Sequence, residues 1–187
     1  MSFTYSIRYD RQLRIENWDQ GKIAKLRVGI IGGDYAMYFT TLPLVSMGVG
    51  EKGEIRILTS NLRPIILIDK TILVAKDFIY LLEKINPLLK GRIHHYGIRL
   101  VSRGLTVFLR DLDVIIDVTN DPISKSIAAK YAIEMEVPYI SASTIPCYCR
   151  IKTISQKYSN IDVNDFLLEF SHLEQDAFTS MLIGGFI

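Results

Sequence analysis

The sequence predicts an α/β fold: a doubly wound, mostly parallel sheet with helices on both faces. Short β-branched apolar runs recur along the chain, as RVGIIGG at 27–33, EIRILT at 54–59, DVIIDVT at 113–119 and VPYISAS at 137–143. Helical patterns separate them. The first run ends in Gly-Gly, as a buried strand feeding a tight turn would.

In chain order, NWDQGKIAKLR at 17–27 starts on a capping Asn or Asp and ends in basic residues, which predicts a short helix. After the strand at 27–33, Tyr35, Phe39, Leu42 and Val45 recur near helical spacing. Pro43 interrupts them and predicts a kink or a boundary. VGEKG at 49–53 is a turn before the second strand. LRPIILID at 62–69 is open between strand and buried loop. Residues 70–85 predict an amphipathic helix with Leu73, Phe78, Leu81, Leu82 and Ile85 on one side, stopped by Asn86-Pro87. GRIHHYGIRL at 91–100 holds a strand, with a helix or loop after it. Following the strand at 113–119, DPISKSIAAKYAIEME at 121–136 is a helix with proline near its start. VPYISAS and CYCRIKTI (147–154) are strands, and a helical pattern runs late in the chain.

With 187 residues the chain suits one domain, large enough to bury roughly 70% of its unfolded surface. About half the residues are apolar and the net charge is +2, with Lys and Arg spread along the chain. That leaves no electrostatic case for nucleic acid or a membrane surface. The polar start MSFTYSIRYDRQLRIENWDQ has no signal-peptide pattern, and no run approaches the roughly 20 apolar residues of a membrane span. Two cysteines and no export signal predict a cytoplasmic protein with reduced thiols.

Ligands of such sheets bind at the carboxyl ends of the strands. Here those ends fall near Gly32–Asp34, Thr59–Asn61, Thr119–Asp121 and Ser141–Ser143. Gly32 and Gly33 make a phosphate-loop signal that also fits a plain strand-to-helix turn, because a dinucleotide fingerprint needs three spaced small residues. Cys147 and Cys149 fall on one face of a strand and read as packed thiols, since no second pair completes a metal site. His94 and His95 face opposite ways and read as surface or satisfied histidines.

RYDRQLRI at 8–15 is more specific. It resembles the Arg-Tyr-x-Arg-Gln signature that precedes the first strand in the ubiquitin-activating-enzyme/ThiF/MoeB family of adenylyltransferases. SMGVGEKGEIRIL, LLEKINP, DVIIDVTND, VPYISAS and DAFTSMLIGGF follow in that family's order. The resemblance covers nearly the whole chain. It implies a Rossmann-like core over residues 27–187 with an N-terminal helical arm over 1–26. It also implies ATP and magnesium chemistry on the C-terminal glycine of a ubiquitin-like or sulfur-carrier protein, performed by dimers.

Carried over residue by residue, the resemblance also implies a degenerate site. The family's second and third turn glycines fall on Asp34 and Met37, and its ribose-gripping acid falls on Thr59. The Asn-x-x-Arg phosphate segment is represented by Asn61 and Arg63, one residue too close. The catalytic lysine falls on Val74, with Lys70 and Lys76 nearby. The magnesium aspartate falls on Asn120, beside Asp121. An Asn oxygen is a weaker magnesium ligand than a carboxylate, so ATP and magnesium are expected to bind weakly. No zinc is expected, because the family's two cysteine pairs are absent. Arg11 matches the arginine that reaches into the partner's ATP site, and a solvated arm with local ion pairs is the plain alternative for Arg8 and Arg11. The leading expectation is therefore a non-catalytic or weakly catalytic subunit of a homodimer or heterodimer with an active paralogue. A divergent active adenylyltransferase using Lys70 or Lys76 with Asp121, and a module that binds a nucleotide or a ubiquitin-like protein, are the alternatives.

Overall fold

The computed structural model describes residues 7–59, 65–66, 72–73, 75–97, 104–145 and 148–155. Helix α1 (Asp10–Leu13) and helix α2 (Gln20–Lys25) come first. Asp19 caps α2 by accepting from the Lys22 amide at 3.0 Å, so the acidic start and basic end of this segment do form a helix. Strand β1 (Arg27–Ile31), helix α3 (Tyr35–Ser46) and strand β2 (Glu54–Leu58) follow. Next come β3 (Ile65–Ile66), β4 (Ile72–Leu73) and α4 (Ala75–Ile85). The described chain continues with β5 (Ile93–Tyr96), α5 (Gly104–Leu109), β6 (Val114–Asp117), α6 (Pro122–Glu134), β7 (Tyr139–Ile145) and β8 (Tyr148–Ile154).

Six strands make one sheet in the order β5-β2-β1-β6-β7-β8, and β3 pairs with β4 in a separate ribbon. All neighbours in the large sheet are parallel except β7 with β8. Alternate strand residues feed two cores. Val28, Ile30, Ile55, Ile57 and Ile116 pack with α3 and α4 on one face. Ile31, Leu58, Ile115 and Tyr139 pack with α5 and α6 on the other. This is the Rossmann-like, doubly wound sheet that the alternation of runs predicts.

Some boundaries differ from the sequence reading. Pro43 lies inside α3 and no boundary falls there. The proline sits one turn from the helix end, and α3 is apolar nearly all round, so packing outweighs one lost main-chain bond. The helix expected from residue 70 begins at Ala75, because Ile72 and Leu73 pair with Ile66 and Ile65. Leu73 therefore belongs to a strand. The late helical pattern at 159–183 lies outside the described residues.

Candidate functional site

The chain runs outward from β1 through β2 to β5, then returns to β6 on the other side of β1. The strand order thus reverses between β1 and β6, and the carboxyl ends of those strands border the crevice where such folds bind ligands. Main-chain bonds hold this edge together. Gly32 N donates to Leu58 O at 3.0 Å, and Val118 N donates to Ile31 O at 2.9 Å. A Cβ on Gly32 would lie 2.7 Å from Val118 Cγ2 and 2.9 Å from Met37 Cβ. Glycine is needed here so that α3 can close against the ends of β1 and β6. Gly33 is half-buried, Asp34 stands at the N-cap of α3, and Thr59 is buried just past β2. Gly32, Gly33, Thr59, Asn120 and Asp121 therefore come to one edge of the sheet. Asn61, Arg63 and Lys70 lie outside the described residues, as does the side chain of Lys76 at the start of α4.

Under the end of β6 lies a buried charge pair that the sequence reading missed. Lys125 Nζ is 3.3 Å from Asp117 Oδ1, and both side chains are fully buried. The same oxygen of Asp117 accepts from Thr119 N at 2.9 Å and from Thr119 Oγ1 at 2.8 Å, while Oδ2 accepts from Tyr139 Oη at 2.9 Å. Burial pulls the Lys125 pKa down, and Asp117, then Asp121 and Asp34, oppose that pull. Burial and the Asp117 carboxylate together push the Tyr139 phenol well up. Asp121 is used as a cap on α6: it accepts from the amides of Ile123 at 3.3 Å and Ser124 at 3.1 Å, and from Ser124 Oγ. Three carboxylates thus bear on one ammonium at this edge.

Asp117 Oδ1 takes three donors and Oδ2 takes one, Asp121 accepts from the start of α6, and Asn120 carries no charge. Among the described residues, no three of His, Cys, Asp and Glu gather as a metal site would need.

The chain matches no family model. It is 28% identical over 156 residues to the adenylyltransferase and sulfurtransferase UBA4 of Kluyveromyces lactis, a match that takes in 78% of this chain and 34% of the relative. It therefore spans about a third of the length of that curated relative. The fold superposes on PaaA with a TM-score of 0.69 at 16% identity, over 99% of this chain and 72% of the other. It superposes on Escherichia coli MccB solved with succinimide at 0.63 and 14%, over 89% and 54%. Escherichia coli TcdA, a tRNA N6-threonylcarbamoyladenosine dehydratase solved with AMP, gives 0.64 and 14%, over 75% and 59%. The sequence match and the shared fold agree with the order of motifs along the chain. These likenesses support the resemblance to the ThiF/MoeB-type adenylyltransferases.

Three of the resembling segments meet in one buried knot. Tyr9 Oη donates to Glu51 Oε1. Asn86 Nδ2 donates to Glu51 Oε1 at 2.9 Å, to Val45 O at 3.0 Å and to Tyr9 Oη at 3.1 Å. Arg8 donates to Tyr9 Oη at 3.1 Å and also to Ile85 O at the end of α4. Burial, with the Glu51 hydrogen bond second, raises the Tyr9 pKa to about 12. Gly48 has φ +83°, and a Cβ there would sit 2.5 Å from Tyr9 Oη. The Tyr of RYDRQ, the Glu after GVG and the Asn before Pro87 are therefore anchoring residues. Arg11 is exposed on α1. His94 and His95 are both exposed, and His94 Nε2 lies 3.6 Å from Glu54 Oε2. Cys149 is a free, half-buried thiol, and Cys147 lies outside the described residues. The signal for Lys125 is present in the sequence: with Ala128, Ala129 and Ala132 it forms the buried stripe of α6.

Proposed function

We propose that this chain is a non-catalytic or weakly catalytic homologue of the enzymes that activate ubiquitin-like and sulfur-carrier proteins, working as one subunit of a dimer beside a related active partner. The observation that carries this reading is the charge at the crevice edge. Asp34, Asp117 and Asp121 all bear on Lys125, so among the described residues carboxylates outnumber the ammonium where a triphosphate would lie. Like charges repel, and a buried ammonium already shared among internal acceptors offers phosphate little. Met37 and Val118 also close in on Gly32, where the family keeps a glycine-rich turn open.

The carrier class comes from the resemblance and from the relative's description as an adenylyltransferase and sulfurtransferase. One MccB structure was solved with MccA, and a TcdA structure holds AMP, so a peptide tail and a nucleotide are the ligands to try. We place residues 1–26 as the arm and 27–187 as the core of this subunit. Arg11 is its contribution to the partner: the Tyr9 knot holds the arm, and Arg11 stays exposed two residues away. The setting is cytoplasmic. Among the described residues, no helix is long and apolar enough to cross a membrane.

ATP–pyrophosphate exchange with a panel of ubiquitin-like and sulfur-carrier proteins is the test, alongside calorimetry with magnesium-ATP. The isolated chain should give no exchange and no micromolar binding. Exchange by the chain alone would instead support a divergent enzyme built on Lys70 or Lys76 and Asp121. Micromolar nucleotide binding without exchange would support a binding module.

A further inference from the structure

Strands β6 and β7 pair from Ile115–Tyr139 to Asp117–Ser141, and Lys125 reaches that last pair from the first turn of α6. Its Nζ lies 2.8 Å from Ala142 O, 3.0 Å from Ser141 Oγ, 3.2 Å from Asp117 O and 3.3 Å from Asp117 Oδ1. Two of these are main-chain carbonyls, one from each strand. The third, a carboxylate oxygen, already takes two donors from Thr119. None of those three oxygens can donate a proton, and only Ser141 Oγ could. A neutral amine would turn its lone pair toward an oxygen, whereas an ammonium suits an all-acceptor shell. Converging carbonyls that replace an ion's hydration shell are how proteins hold monovalent cations.

We propose that the end of the β6–β7 ladder is a monovalent-cation site that the chain fills from within, with the Lys125 ammonium as its resident ion. The charge, rather than the packing of the lysine stem, holds the two strand ends together at the crevice edge. The inference stands apart from the proposed function, since it needs neither a partner nor a nucleotide. It also explains a fully buried lysine on the apolar stripe of α6, which burial alone would disfavour.

The test is rescue by a free cation. Lys125→Ala removes three methylenes and the ammonium, which is the size of n-propylammonium. The variant should lose roughly 10 °C in Tm. n-Propylammonium chloride should restore part of that loss, and tetramethylammonium chloride at the same ionic strength should not. The unaltered chain should respond to neither salt. Restoration by both salts alike, or by neither in a folded variant, would overturn the proposal. Should Lys125→Ala fail to fold, Lys125→Met keeps the stem and removes the charge, and a Tm equal to the original would overturn it too. In the unaltered chain, nitrogen-15 NMR of the Lys125 side chain should report a charged ammonium with slowly exchanging protons at neutral pH. An amine signal would sink the idea without any substitution.

Discussion

Two buried polar clusters in this molecule solve different problems. The knot of Tyr9, Glu51 and Asn86 joins positions far apart in the sequence and ties the N-terminal arm to the turn before β2 and to the end of α4. Among the described residues its carboxylate meets no cation and Glu51 Oε2 is buried without a hydrogen-bond partner; Arg8 donates to Tyr9 and to a main-chain carbonyl instead. The cluster of Lys125, Asp117, Tyr139 and Ser141 is the reverse. It joins neighbouring elements, pairs opposite charges and gives each carboxylate oxygen a donor. An incompletely satisfied tether can release an arm and leave the sheet standing. A charge pair inside the sheet cannot lose one member cheaply, because the other is left buried and uncompensated.

The largest expected effect comes from breaking the charge pair. Asp117→Asn should cost about 3–5 kcal/mol, read by urea unfolding. The double variant Asp117→Leu/Lys125→Met should recover much of that loss. A double variant as unstable as the sum of the singles would show that charge pairing is not what matters there.

Gly48→Ala should rank next. It puts a side chain at φ +83° and against the Tyr9 hydroxyl, for a cost of roughly 1–3 kcal/mol. The loss should fall on the arm, so trypsin should cut at Arg8, Arg11 and Arg14 faster while the circular dichroism of the sheet holds. Unchanged cleavage would mean that the knot does not hold the arm.

Tyr9→Phe should be milder, about 1–3 kcal/mol from the hydrogen bonds left unmade. It also carries a pH signature. The folded chain raises the Tyr9 pKa from 10.0 to about 12, so it favours the protonated phenol. The resulting stability is fully present below pH 10 and is lost as pH rises toward 12. Tyr139, which is also raised, adds a similar alkaline loss. Subtracting the unfolding profile of Tyr9→Phe from that of the unaltered chain should isolate the Tyr9 part. A flat difference across that range would contradict the buried phenol.

Arg11→Ala should have the smallest effect on stability, below about 1 kcal/mol, because the side chain is exposed. Under the proposed function it should still slow adenylation by the partner subunit. Unchanged partner activity would separate the arm's anchoring from any role at a second site.

Strand positions were readable because β-branched runs bounded by glycine and charge have few other homes. The runs at 27–33, 54–59 and 113–119 end as strands at Ile31, Leu58 and Asp117. Their last residues leave the ladder to form the crevice edge, a departure that local pattern does not encode. At 137–143 the strand starts at Tyr139 and runs on to Ile145, because antiparallel pairing with β8 extends it. The sequence places Ser141–Ser143 at a strand end beside the crevice. Ser141 turns out to accept from Lys125.

Local order of residues was enough for the alternation of strands and helices and for the motifs that carry the family resemblance, because both depend on short-range pattern. The partners of those motifs were not legible. Tyr9, Glu51 and Asn86 meet across gaps of 42, 35 and 77 residues. The helical stripe marks Lys125, but its partners on β6 and β7 appear only when α6 is laid against them. A charge becomes expensive, and so structurally decisive, only once packing removes its water, and packing belongs to the folded chain as a whole.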